Sequence, residues 1–256
     1  MILRSVTKHV KEQNWFAVVI DLVIVVFGVF IGIQVSNWNE TRLEEQKTNT
    51  YIERIRVDLA ENIKDFTQRK AYFQQVRNHS LAALKSINNS TEDLGEQFII
   101  DVYQASQILY REMGRDTYDE IISIGALNLD THISVRKQLA NFYRSIIAQL
   151  KFLDTPVPYR DLIRRSMPYE TQKAIRKTCN DIIATGKNGE AIISLPKSCN
   201  LGLKPEDVSA AVLAIKNKAV QEELTRRTSE LDITISLIQL ILDRVELMDS
   251  YLIPVK

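Results

Sequence analysis

One stretch constrains this chain more than any other: Phe16 to Val35, FAVVIDLVIVVFGVFIGIQV, apolar apart from Asp21 and Gln34. As an α-helix its twenty residues run about 30 Å, the thickness of a bilayer's hydrocarbon core. Trp15 and Trp38 stand just outside its ends, where indole rings favour the membrane–water interface. The stretch is apolar on every face, unlike a core helix with one wet side. It is too long for the apolar part of a cleavable leader, and no small-x-small site follows in SNWNE. It therefore reads as an uncleaved signal anchor: a cytoplasmic tail over 1–14, a transmembrane helix over 15–38, and a lipid bilayer as the first partner.

Two features inside the span are candidate sites. Gly28 and Gly32 form a G-x-x-x-G pair, a candidate helix-dimer contact through which the chain would form a homodimer. Asp21 is an intramembrane acid and so a functional candidate. Its depth of roughly 7–8 Å also lets a carboxylate reach water or lipid headgroups, or take a proton.

The N-terminal flank carries Arg4, Lys8 and Lys11, whereas Ser36–Thr50 carries only Arg42 and Lys47. This bias puts the N-terminus in the cytoplasm and the rest of the chain on the other side. Cys179 and Cys199, the only cysteines, flank a Gly-rich turn. A disulfide between them persists outside a reducing cytosol and supports the same orientation; the alternative is two buried thiols. Of 33 basic and 32 acidic residues, Arg4, Lys8, Lys11, Glu12 and Asp21 lie before Ser36, so the remainder is neutral. A neutral domain offers no electrostatic footing for nucleic acid.

Beyond the span the pattern is helical, and the expected fold class is all-α. A single transmembrane helix continues into an antiparallel helical bundle (39–155 and 204–256) that carries a small disulfide-stapled insertion, 156–203. No Pro or Gly interrupts Trp38–Ser86, so the anchor is expected to continue as one long helix ending at Ile87–Thr91, with Ser90 or Thr91 capping the next. Its seam is Ile52, Ile55, Leu59, Phe66, Phe73 and Val76. Asn62 and Arg69 interrupt the seam, as a solvated stretch or a ligand site. Further helices are expected over about Glu92–Glu112, Thr117–Ile124 with Gly125 as a left-handed cap, and Thr131–Leu153. In the insertion, Tyr159–Ser166 and Tyr169–Thr185 read as helices, and GKNGEAIISLP as a small hairpin or an extended loop, with AIISL the one strand-like run. Helices over Pro205–Asn217 and on to about Tyr251 close the chain. The last repeats Leu224, Leu231, Ile238, Val245 and Leu252 every seven residues, with Ile233, Leu237, Ile241 and Met248 widening the stripe. Its expected partners are the first helix, Thr131–Leu153 and Glu92–Glu112, with Ile238 and Leu242 at the centre.

No motif for a zinc site, a phosphate-binding loop, a dinucleotide fold or a nucleophile elbow is present; His9, His79 and His132 are scattered. The expectation is a protein without enzymatic activity or cofactor. GRDTYDE places Arg115, Asp116, Asp119 and Glu120 together, as a solvated helix start or an ion or ligand site.

GVFIGIQVSNWNE (Gly28–Glu40) resembles the anchor exit of an uncharacterised bacterial family, a domain of unknown function whose members pair a membrane helix with an N-W-N-E run and a helical domain. TYDEIISIGALNLD (Thr117–Asp130) is similar to that family's T-Y-x-E…G-x-L segment, and NFYRSI (Asn141–Ile146) to its aromatic pair, with Phe142 in place of a tyrosine. The resemblance implies a bacterial inner-membrane protein, and brings no activity, cofactor or catalytic residues; with the orientation given by the basic flank and the cysteine pair, the domain is then expected to be periplasmic. Two function classes follow. One is a structural or interaction module that docks to an envelope protein partner. The other is a ligand-sensing module, which would need a partner in the membrane because this chain offers no second span.

Overall fold

The structure, a computed structural model, describes residues 15–89, 94–125, 133–187 and 189–252. The tail 1–14, the Ser90–Thr91 cap, the connection 126–130, the start at Thr131 and Pro254 lie outside the described residues.

Helix α1 runs unbroken from Trp15 to Asn88. At 1.5 Å per residue it is about 110 Å long. Its apolar first part is exposed on all described sides, and among the described residues it is the one helix long and apolar enough to cross a membrane. Exposure continues on every side from Ser36 to Lys47. From there a three–four repeat is buried: Thr48, Ile55, Leu59, Asn62, Phe66, Arg69, Phe73, Val76, Ser80 and Ala83.

Helix α8, Lys218–Leu252, supplies the matching seam, with Val220, Leu224, Arg227, Leu231, Ile238, Ile241, Val245, Met248 and Leu252 buried. Asn217 caps it, its Oδ1 accepting from the Val220 N–H at 3.0 Å. The two helices are antiparallel. Arg56 meets Asp249, Arg77 meets Asp232, Ser80 meets Thr228 and Gln221 meets Asn88 in one consistent register. Ile238 and Leu242 are buried as the heptad pattern requires, while Ile233, expected to widen the stripe, is exposed.

Shorter elements cover this pair at two levels. Near the apolar end, α3 (Asp116–Ile124) and α4 (Ile133–Leu153) share a core with Ile55–Val76 of α1 and Leu231–Leu252 of α8. The α3 helix ends at Gly125, whose φ of 64° is the left-handed cap a glycine adopts without strain. At the far end α2 (Glu96–Gln104), α5 (Pro158–Ser166), α6 (Tyr169–Thr178) and α7 (Pro205–Ile215) enclose a second core with Ala83, Val220 and Leu224. Residues 156–203, expected as an insertion, contribute Tyr159, Ile163, Met167, Ile175, Cys179 and Leu201 to that core.

Three expectations are corrected. The helix over Glu92–Glu112 is the nine-residue α2, which stops at Gln104 and packs in the second core rather than beside α4. The helix over Tyr169–Thr185 stops at Thr178. Its last residues form β1 (Ile182–Thr185), paired antiparallel with β2 (Ala191–Ser194), so the fold is mostly helical with one hairpin. Ile182 and Ile183 are β-branched and exposed, suited to a hairpin and not to a helix stripe. The polar gap at Asn62 and Arg69 is not solvated: these residues are 4% and 3% exposed.

Candidate functional site

Cys179 and Cys199 form a disulfide with Cα atoms 5.6 Å apart, inside the usual 4.4–6.8 Å window. Cys179 is buried in the second core, and its carbonyl accepts from Gln104 Nε2 at 2.7 Å. The bond closes a loop of about twenty residues, and its loss should cost about 3 kcal/mol in the chain-entropy model. The melting temperature of the oxidised protein should therefore fall by several degrees on reduction. An unchanged value would remove the disulfide from the account of stability.

The span residues make few contacts with the rest of the chain. Apart from the helix's own adjacent backbone, nothing approaches within 4 Å of where a side chain would begin at Gly28 or Gly32, which leaves that face open to a second helix. Trp38 is 67% exposed. Trp15 and Asp21 lie on α1, and their side chains are outside the described residues.

Most of the GRDTYDE residues are tied into the fold, while Asp116 is exposed in the first turn of α3. Arg115 pairs with Asp119 at 2.9 Å along α3. Glu120 accepts from Arg54 Nη1 at 3.1 Å and from Tyr51 Oη at 3.2 Å, and the Arg54 guanidinium holds its carboxyl below the usual range. The Thr117 N–H donates to Asp58 at 3.1 Å, so α3 starts on a carboxylate of α1. His79 pairs with Asp101 at 2.7 Å, Nδ1 to Oδ1, while His9 and His132 lie outside the described residues. Among the described residues no group of His, Cys, Asp and Glu is arranged to hold a metal ion.

Three buried polar residues of the two long helices, Asn62, Arg69 and Arg227, converge on one irregular segment, Ala105 to Arg115. Asn62 clamps Gly114, donating to its carbonyl at 2.8 Å and accepting from its N–H at 2.9 Å. Arg69 Nη2 donates to the Glu112 carbonyl at 2.8 Å, and its Nε pairs with Asp65 at 2.6 Å. Arg227 donates to the carbonyls of Ala105 and Gln107 at 3.2 and 2.8 Å, and Arg160 to that of Ser106 at 3.1 Å. Burial pushes the Arg227 pKa down to about 10, which leaves it charged at neutral pH. These bonds explain why α2 stops early. Carbonyls that would accept from the next helical turn accept from arginines instead.

The pinned segment forms one wall of a cavity of about 300 Å³. Arg111, Glu112, Met113 and Arg115 line that side; Tyr143, Ile147, Leu150 and Lys151, one face of α4, and Asp154 just past its end line the other. On the opposite flank of α4 an open apolar groove of about 530 Å³ runs between Phe142 and Leu247, Met248 and Tyr251 of α8. Sequence reasoning missed the cavity residues outside GRDTYDE. The available signal was the Tyr143–Ile147–Leu150 spacing on α4, beside the core stripe, with Asp154 in register just past its end.

No family model, no curated protein and no solved structure matches this chain. The resemblance carried by Gly28–Glu40, Thr117–Asp130 and Asn141–Ile146 rests on those residues alone.

Proposed function

We propose that this chain is a single-pass protein of the bacterial inner membrane, with its N-terminus in the cytoplasm and its helical domain in the periplasm. There it acts as a structural or protein-interaction module of the envelope. One observation carries the reading: a single helix, α1, begins as an exposed apolar rod and ends as the core helix of the domain. An apolar surface of that length needs lipid around it, and a helix with no break transmits position and orientation rigidly from bilayer to domain. The disulfide supports an oxidising compartment, and the basic N-terminal flank supports the same topology. The helix surface between Ser36 and Lys47, open on all sides, holds the domain about 18 Å clear of the span and leaves room for a partner. The reading assigns no reaction and no cofactor.

A second reading, a ligand-sensing module that signals through a membrane partner, draws on the cavity between Arg111–Arg115 and α4. Both readings share one topology. A reporter active only in the periplasm, fused after Lys256, should be active, and a cytoplasmic one at the same place silent. The reverse pattern would overturn the location. Affinity purification of the full chain from native membranes should recover an integral or periplasmic envelope protein in fixed proportion, and recovery of the chain alone would count against the interaction role.

A further inference from the structure

We infer that the cavity between Arg111–Arg115 and α4 binds a small zwitterion with an apolar body, of the size and charge pattern of a free α-amino acid. The first argument is construction. The wall on the α4 side is a helix face. The other wall has no secondary structure, yet it is fixed at three points: Asn62 on Gly114, Arg69 on the Glu112 carbonyl, and Arg111 on both Asp65 and the Ala191 carbonyl. Two of those residues, Asn62 and Arg69, occupy seam positions of α1 where apolar side chains would pack. Their polar character serves the wall. A wall already ordered leaves the ligand little entropy to supply on binding.

The second argument is charge. Arg111 and Arg115 are committed to Asp65 and Asp119. That leaves the Lys151 ammonium and the Glu112 carboxylate around the cavity without an ion pair or hydrogen bond among the described residues, while the Asp154 carboxylate, also without a direct bond, is attracted to the buried Arg69 guanidinium. Between them lies an apolar floor of Met113, Ile147 and Leu150. A simple anion would face two carboxylates, and a simple cation would face the ammonium. A molecule carrying a carboxylate for Lys151, an ammonium for Glu112 or Asp154, and an apolar side chain for the floor satisfies all three. The volume of about 300 Å³ admits such a molecule and is at the small end of ligand sites. The inference does not depend on which side of a membrane the domain occupies.

The test uses the full chain in detergent micelles and isothermal calorimetry. Leucine, isoleucine, valine, methionine and phenylalanine are titrated one by one. For the tightest binder, the analogue lacking the amine and the analogue lacking the carboxylate follow. Saturable binding of at least one amino acid is expected, with each singly charged analogue about tenfold or more weaker. Lys151→Met, and the double variant Glu112→Gln with Asp154→Asn, should each weaken it about tenfold. These positions are exposed and outside the core, so the melting temperature of both variants should match the parent. Absence of binding by all five amino acids would overturn the inference. So would equal affinity for a singly charged analogue, or unweakened binding in the Lys151→Met chain.

Discussion

Replacing Ile238 with Asp should lower the stability of the domain by about 4 kcal/mol, among the larger effects of a single substitution. The side chain is fully buried at the middle of α8, inside the core that α1, α3 and α4 share. Removing it forfeits about 2–3 kcal/mol of apolar burial. The carboxylate adds a charge, or a proton uptake, in an apolar core where the buried seam cation, Arg69, is already paired with Asp65. For a domain of this size the melting temperature should fall by roughly 10 °C, with faster proteolysis. An unchanged melting temperature would mean that α8 is not the core partner of α1, and the two-helix frame would fall with it.

Replacing Arg227 with Met should cost about 3 kcal/mol by a different route. The apolar stem is kept, but the buried carbonyl of Ala105 and the part-buried one of Gln107 lose a charged donor. The damage should be local first: amide exchange over residues 105–110 should accelerate more than in the centre of α8. Arg227→Lys should not restore it, because one ammonium on a flexible stem does not reproduce a guanidinium fork across two carbonyls. Full rescue by lysine would show that charge alone, and not the fork geometry, holds the segment.

The frame was legible because it is periodic. Ile55, Leu59, Phe66 and Val76 on α1, and Leu224 to Leu252 on α8, recur at three and four residues, and burial follows that spacing. The disulfide was legible as a pairing of two lone cysteines around a turn. The Ala105–Arg115 segment was not legible. Its residues, ASQILYREMGR, include good helix formers, and the signals that stop α2 lie far away in sequence. Asn62, Arg69 and Arg227 are 52, 43 and 122 residues from the groups they bind. Read locally, each is only a polar residue in an apolar stripe. What decides its role is a backbone carbonyl that another element brings up, and local propensity carries no trace of that. The cavity is one step further removed, since one of its walls exists only after those bonds form. The strand Ile182–Thr185 failed for a smaller reason. A four-residue run after a helix looks like its last turn unless β-branching is given weight.

The central claim is that one helix is both the bilayer anchor and the domain's core. The chain contains two tryptophans, Trp15 and Trp38, and they bracket the apolar stretch of α1. They therefore report on both ends of that stretch without any substitution. The full chain can be reconstituted into phospholipid vesicles and its tryptophan fluorescence measured against lipids brominated at different depths. The account predicts quenching of both tryptophans, strongest with bromine near the headgroup end of the acyl chain and weakest with bromine at the bilayer centre. Emission that no brominated lipid quenches would contradict it, because the apolar end of α1 would then lie outside the bilayer.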